Sequence, residues 1–184
     1  MFYNNAELTS LDISRWSFSK ALQYNYMFSN CVKLETITGL KNLFPSDTIK
    51  SRIINQIFAG CAALKEVSLS EVSEWSMFDV NNECLIPSFY AVFKGCKQLT
   101  NSNKIFTNAL LSKKYSKVTN IQEIFSDCIN CTNITLPAMT NITNAIKAFY
   151  NCPALALLDL HLANFYHCND GNLVANIATS DALY

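Results

Sequence analysis

Ala148-Phe149-Tyr150-Asn151-Cys152-Pro153-Ala154-Leu155-Ala156-Leu157-Leu158-Asp159-Leu160 reduces to Phe-x-x-Cys-x-x-Leu-x-x-Leu-x-Leu. The same wording recurs upstream. Phe28, Cys31, Leu34 and Ile37 repeat it, as do Phe58, Cys61, Leu64, Val67 and Leu69. Phe93, Cys96 and Leu99 begin a further copy that degrades at Ser102 and Lys104. Phe125, Cys128, Ile134 and Leu136 form another, with Cys131 in a leucine place. At the start, Phe2 leads to Leu8, Leu11 and Ile13, with Asn5 in the cysteine place. Consecutive repeat phenylalanines (Phe2, Phe28, Phe58, Phe93, Phe125 and Phe149) lie 24 to 35 residues apart. Self-similarity at such a period predicts a stacked repeat protein, because one unit cannot bury its own apolar face and several together can.

Each unit reads as two short elements. Before the phenylalanine, apolar residues recur three or four apart: Ile54, Ile57 and Phe58, or Val118, Ile121, Ile124 and Phe125. That spacing predicts one or two turns of helix. After the cysteine, alternation at Leu64, Val67 and Leu69 or at Leu155, Leu158 and Leu160 predicts a short strand. Asn30, Gly60, Gly95 and Asn151 stand between the two elements, where a helix end would turn into a strand. The expected fold is therefore an α/β solenoid of the leucine-rich-repeat type, with about six repeats and the strands in a parallel sheet on one face. Residues 1–161 form the array in this reading. Residues 162–184 form a connecting segment and a partial last repeat, and both ends are expected to be cut from a longer array. The segments between strand and next helix vary in length, and their aromatics (Trp16, Phe18, Trp75, Phe78) are expected to cover the edge of the core.

Half of the chain is hydrophobic and 15% is charged, enough for a continuous core. Fourteen basic and fourteen acidic side chains cancel. Phosphate binding needs a cationic excess, so no nucleic-acid partner is expected. Lys104, Lys113, Lys114 and Lys117 read as a solvated face. No apolar run reaches the roughly 20 residues of a membrane helix, so no membrane span is expected. The N-terminus shows no charged segment followed by an apolar one, so no signal peptide is visible.

The eight cysteines fit the repeat better than a disulfide framework. Cys31, Cys61, Cys96, Cys128 and Cys152 each follow the repeat phenylalanine by three, so they should form a buried column of small free thiols. Cys84 and Cys168 lie off that column and are expected to be the exposed thiols.

Met27-Phe28-Ser-Asn-Cys31-x-x-Leu34, Leu8-Thr-Ser-Leu11-Asp12-Ile13-Ser14, Lys117-Val-Thr-Asn-Ile121 and Ala148-Phe149-Tyr-Asn-Cys152 resemble the BspA-like leucine-rich repeat surface proteins. The likeness spans about Met1 to Leu160. It implies a non-enzymatic module for adhesive recognition, secreted or displayed at a cell surface, that binds proteins or matrix. Repeats of this kind also look like parts of phage virion proteins, which makes a structural subunit of a larger assembly the alternative. Self-association or partner subunits would then cover the array ends.

If the strands line one face, the residues alternating with the core leucines point out of it. These are Ser10, Asp12 and Ser14; Thr36 and Thr38; Glu66, Ser68 and Ser70; Asn101 and Asn103; Asn133 and Thr135; and Leu157, Asp159 and His161. The face is small, polar and faintly acidic, without the aromatic and arginine anchors of tight interfaces. No catalytic, metal or cofactor site is expected. Cys128-x-x-Cys131 has zinc-like spacing, but no second ligand pair completes it. His161 and His167 are the only histidines, and His167 adjoins Cys168 in sequence, whereas nucleophile and base normally converge from separate segments. Phosphate-loop, dinucleotide and zinc-protease motifs are absent. Asn130, Asn133 and Asn141 begin Asn-x-Thr triplets that read as repeat wording rather than glycan sites.

Overall fold

The structure is a computed structural model of the full chain, and it describes residues 1–18, 21, 23–43, 53–65, 83–100 and 114–160. Its organising feature is a column of phenylalanine rings. Phe2 stacks on Phe28 with centroids 5.6 Å apart. Phe28 and Phe58 are 5.6 Å apart, Phe58 and Phe93 5.8 Å, Phe93 and Phe125 5.6 Å, and Phe125 and Phe149 6.4 Å. The ring planes stay within 15° of parallel. Chain segments 24 to 35 residues apart in sequence are thus neighbours in space.

Four strands are present among the described residues: β1 (Ser10–Asp12), β2 (Thr36–Thr38), β3 (Asn133–Thr135) and β4 (Leu157–Asp159). β1 pairs with β2 and β3 with β4, both in parallel. Each centres on one inward residue, and Ile37, Ile134 and Leu158 are buried. A short 3₁₀ turn, Leu40–Leu43, follows β2 and buries both of its leucines. One hydrophobic cluster runs from Ile13 to Leu158, including Phe28, Leu34, Phe58, Leu64, Phe93, Leu99, Phe125 and Phe149. Phe18 packs against it, and Trp16 lies 5.8 Å from Phe2, so these two insert aromatics cover the core edge. Trp75 and Phe78 lie outside the described residues.

The expected helices do not form: no α-helix occurs among the described residues. The segment before each phenylalanine is a staircase of tight turns. Met27 N–H donates to Tyr24 C=O and Cys31 N–H to Phe28 C=O, three residues back rather than four. In each of these two turns, and in their equivalents in the other units, the third residue has positive φ. Before the phenylalanine these are Tyr26, Gln56, Ala91, Glu123 and Lys147; after it, Asn30, Gly60, Gly95, Asp127 and Asn151. Positive φ at that place is the mark of turns that favour glycine and asparagine. It also breaks the helical ladder and aims alternate N–H groups sideways. Tyr24, Tyr26, Phe28 and Asn30 donate to Ile53, Asn55, Ile57 and Ala59 of the next unit. Apolar residues three and four apart face one way in a helix, and they do so here because successive turns share a similar pitch.

Candidate functional site

The cysteine column explains the chemical quietness of the core. Cys61 Sγ donates to Phe28 C=O at 3.0 Å, Cys96 to Phe58 C=O at 3.3 Å, Cys128 to Phe93 C=O at 3.1 Å and Cys152 to Phe125 C=O at 3.1 Å. Cys31 does the same to Phe2 C=O at 3.1 Å. Cys31, Cys61, Cys84, Cys96, Cys128 and Cys152 are free thiols, and they and Cys131 are buried. Burial pushes the Cys61, Cys84 and Cys152 thiols up to about 12, and Cys96 and Cys128 well above their ordinary value. Thiolate is the nucleophilic form, so these groups are poor nucleophiles at neutral pH. Cys84 corrects the expectation of an exposed thiol. It is wholly buried, where Glu83 and Lys114 pair in parallel through the backbone and Cys84 N–H donates to Lys114 C=O. Cys168 lies outside the described residues.

On the strands, the described residues named for that face flank the inward centres. Ser10 pairs with Thr36 and Asp12 with Thr38, and Ser10, Asp12, Ser14, Thr36 and Thr38 are all exposed. Asn133 faces Leu157 and Thr135 faces Asp159; Leu157 is exposed and the other three are half-buried. Asp12 closes a small turn by accepting from Ser14 N–H at 2.8 Å. The Ser14 hydroxyl first, and that backbone contact second, hold its carboxyl below the usual carboxylate range. Glu66, Ser68, Ser70, Asn101, Asn103 and His161 lie outside the described residues.

A second surface went unseen in the sequence reading. Along the edge made by the positive-φ turns runs an open groove of about 620 Å³. Its floor includes Ala59, Gly60 and Gly95, its walls carry Tyr3, Tyr26 and Tyr90, and Lys94, Lys97, Glu123 and Asp127 line it as well. Tyr3 and Tyr26 are 55% and 45% exposed and meet edge to face at 6.0 Å. Tyr26 is held by Gln56, whose Nε2 donates to its hydroxyl at 3.0 Å. Lys94 pairs with Glu123 at 2.9 Å. The groove exists because a side-chain ladder is interrupted. Asn30 Nδ2 donates to Asn4 Oδ1 at 2.9 Å, and Asn151 Nδ2 to Asp127 Oδ1 at 2.8 Å. Between these pairs the same column holds Gly60 and Gly95. The readable signal was two glycines where the other units carry Asn or Asp.

Among the described residues, no group of three His, Cys, Asp or Glu side chains gathers to hold a metal ion. No helix among them is long and apolar enough to cross a membrane.

Together, the ring column, parallel ladders and polar flanks define a stacked repeat protein with an aliphatic and aromatic core. A family model described as a Mycoplasma protein of unknown function, DUF285, matches residues 1–165. The chain belongs to that family, and its likeness to the BspA-like leucine-rich repeat proteins holds. Similar solved structures include a leucine-rich repeat protein from Eubacterium ventriosum ATCC 27560, 19% identical, covering 82% of this chain and 38% of that one, with TM-score 0.41. Another, from Bacteroides ovatus ATCC 8483, is 17% identical over 84% of this chain and 47% of its own, with TM-score 0.38. A leucine rich cell surface protein from Faecalibacterium prausnitzii A2-165 is 18% identical over 84% and 54%, with TM-score 0.32. The chain thus spans between 38% and 54% of the length of these proteins. No curated protein matches it.

Proposed function

We propose that this chain is a non-enzymatic recognition module, displayed at a cell surface or secreted, that binds a protein or glycan ligand. The observation that carries this is the exposed Tyr3–Tyr26 pair beside the turn-edge groove. Folding uses the phenylalanines and leaves these tyrosines on the surface, and aromatic side chains of that kind are the commonest binding anchors. The inert thiol column and balanced charge fit a module that holds rather than transforms its ligand. In this reading residues 1–161 form the array and residues 162–184 lead out of it. The strand face around Asp12 and Thr38 is a further surface for contacts, weaker in anchors.

The test is binding of the full chain, immobilised on a sensor, to extracellular-matrix proteins and mucin-type glycoproteins. Saturable binding that soluble chain competes away is the expected result. Non-saturable adsorption to everything offered contradicts the reading, and stable self-association in its place would favour a structural subunit.

A further inference from the structure

We propose that the turn-edge groove takes a neutral oligosaccharide. This rests on the recognition reading above and adds the class of ligand and its site.

Three observations narrow the occupant. First, the backbone at the floor is already paired: Asn30, Gly60 and Gly95 N–H donate to Ala59, Lys94 and Ser126 C=O at 2.7 Å each. A peptide added as a further strand needs a row of unpaired N–H donors as well as acceptors, and these three donors are already taken. Recognition must therefore come from side chains. Second, the charged lining residues are Lys94, Lys97, Glu123 and Asp127, two of each sign. An anionic ligand would meet two carboxylates and a cationic one two ammonium groups, whereas an uncharged ligand rich in hydroxyls meets donors and acceptors together. Third, the walls carry Tyr26 and Tyr90, whose rings are apolar faces with a polar tip. A pyranose ring presents C–H faces to such rings and hydroxyls at its rim.

The shape agrees. The gap in the ladder runs from Asn30 to Asp127, three steps of 5.6–5.8 Å along the phenylalanine column. Asn30 Oδ1 leans over Gly60 at one end, and Asp127, held by Asn151 Nδ2, stands at the other. A volume of about 620 Å³ falls within the roughly 300–1,000 Å³ of small-ligand sites. It suits a short oligosaccharide rather than one ion or one amino acid.

The decisive variant is Gly95→Asn. A Cβ there meets Gly60 Cα at 3.6 Å, an ordinary contact. Asparagine already occupies this column with positive φ at Asn4, Asn30 and Asn151. The change therefore extends the ladder and fills the groove without disturbing the core. The full chain is screened on an array of uncharged gluco-, galacto- and manno-configured oligosaccharides printed beside sialylated and sulfated ones. The best neutral sugar is then titrated by calorimetry. Expected are neutral hits, a loss of at least tenfold with Gly95→Asn and with Tyr26→Ala, and no change with Lys65→Ala, an exposed residue outside the groove. Binding only to sulfated or sialylated sugars overturns the inference, as does a neutral hit indifferent to both groove variants. If no sugar binds while the chain still binds a matrix protein saturably, the ligand class is wrong and the recognition reading stands. If neither binds, both fail.

Discussion

The Cys61 thiol donates a hydrogen bond to the carbonyl of Phe28, 3.0 Å away in the neighbouring unit, while that carbonyl also accepts from Cys31 N–H. Phe28, Phe58, Phe93 and Phe125 are thus each fixed by their own cysteine through the backbone and by the next cysteine through sulfur. A small apolar side chain with a weak donor meets both demands, which accounts for cysteine at this place. Cys61→Ala removes the donor and leaves a small void, and is expected to cost about 1–3 kcal/mol. Urea unfolding of the two proteins measures it; equal midpoints would mean the sulfur contributes nothing.

Phe58 lies between Phe28 and Phe93 and is buried, so Phe58→Ala opens the column in its middle. The expected loss is about 3–5 kcal/mol, as for other buried phenylalanines. Phe149→Ala, at the end of the column, falls in the same range because that ring is also fully buried. A loss below about 0.5 kcal/mol at either site would show the ring not to be core.

Gly39 follows β2 with φ +81°, and a Cβ there would overlap the Ser14 backbone and lie 2.9 Å from the Ile13 carbonyl carbon. Backbone cannot swing aside as a side chain can. Gly39→Ala should therefore cost at least about 3 kcal/mol, of which positive φ alone accounts for roughly 1–2. Gly95→Ala, with φ +71° and only ordinary contact at its Cβ, should cost no more than that conformational share. The ratio of the two losses, read from thermal unfolding, separates clash from conformation.

The raised thiol values fix a pH dependence. Cys61, Cys84 and Cys152 titrate near 12 in the folded chain against an ordinary 9.0. The unfolded chain releases those protons first, so the stability they confer is full below about pH 9 and is lost as pH climbs towards 12. The urea midpoint should be unaffected by these thiols up to pH 9 and fall above it, more gently in Cys61→Ala. At pH 8 a thiol reagent should leave the described cysteines unmodified until denaturant is added.

The phenylalanine, cysteine and leucine register was legible because stacking forces one residue type into a column at a fixed offset, and period shows in sequence. Strand alternation was equally plain at Ile37 and Leu158. The helix reading failed at residues such as Tyr26, Gln56, Glu123 and Lys147. Their positive φ is imposed by the ladder to the next unit, and nothing in their side chains announces it. Asn30, Gly60, Gly95 and Asn151 did announce it, but a helix end and a tight turn ask for the same residues. The groove was illegible for another reason. Gly60 and Gly95 shape it by what they lack, and Tyr3, Tyr26 and Tyr90 come from three different places in the repeat.

Both surfaces depend on the turn staircase, since a helix would turn Tyr26 and Gly60 elsewhere. The most direct test is the scalar coupling that nuclear magnetic resonance detects across a hydrogen bond. The account predicts coupling between Phe28 amide nitrogen and the Ile57 carbonyl carbon, 29 residues away along the chain and joined by an N–H···O contact of 2.9 Å. Coupling to the Tyr24 carbonyl instead, the partner an α-helix would supply, would contradict it.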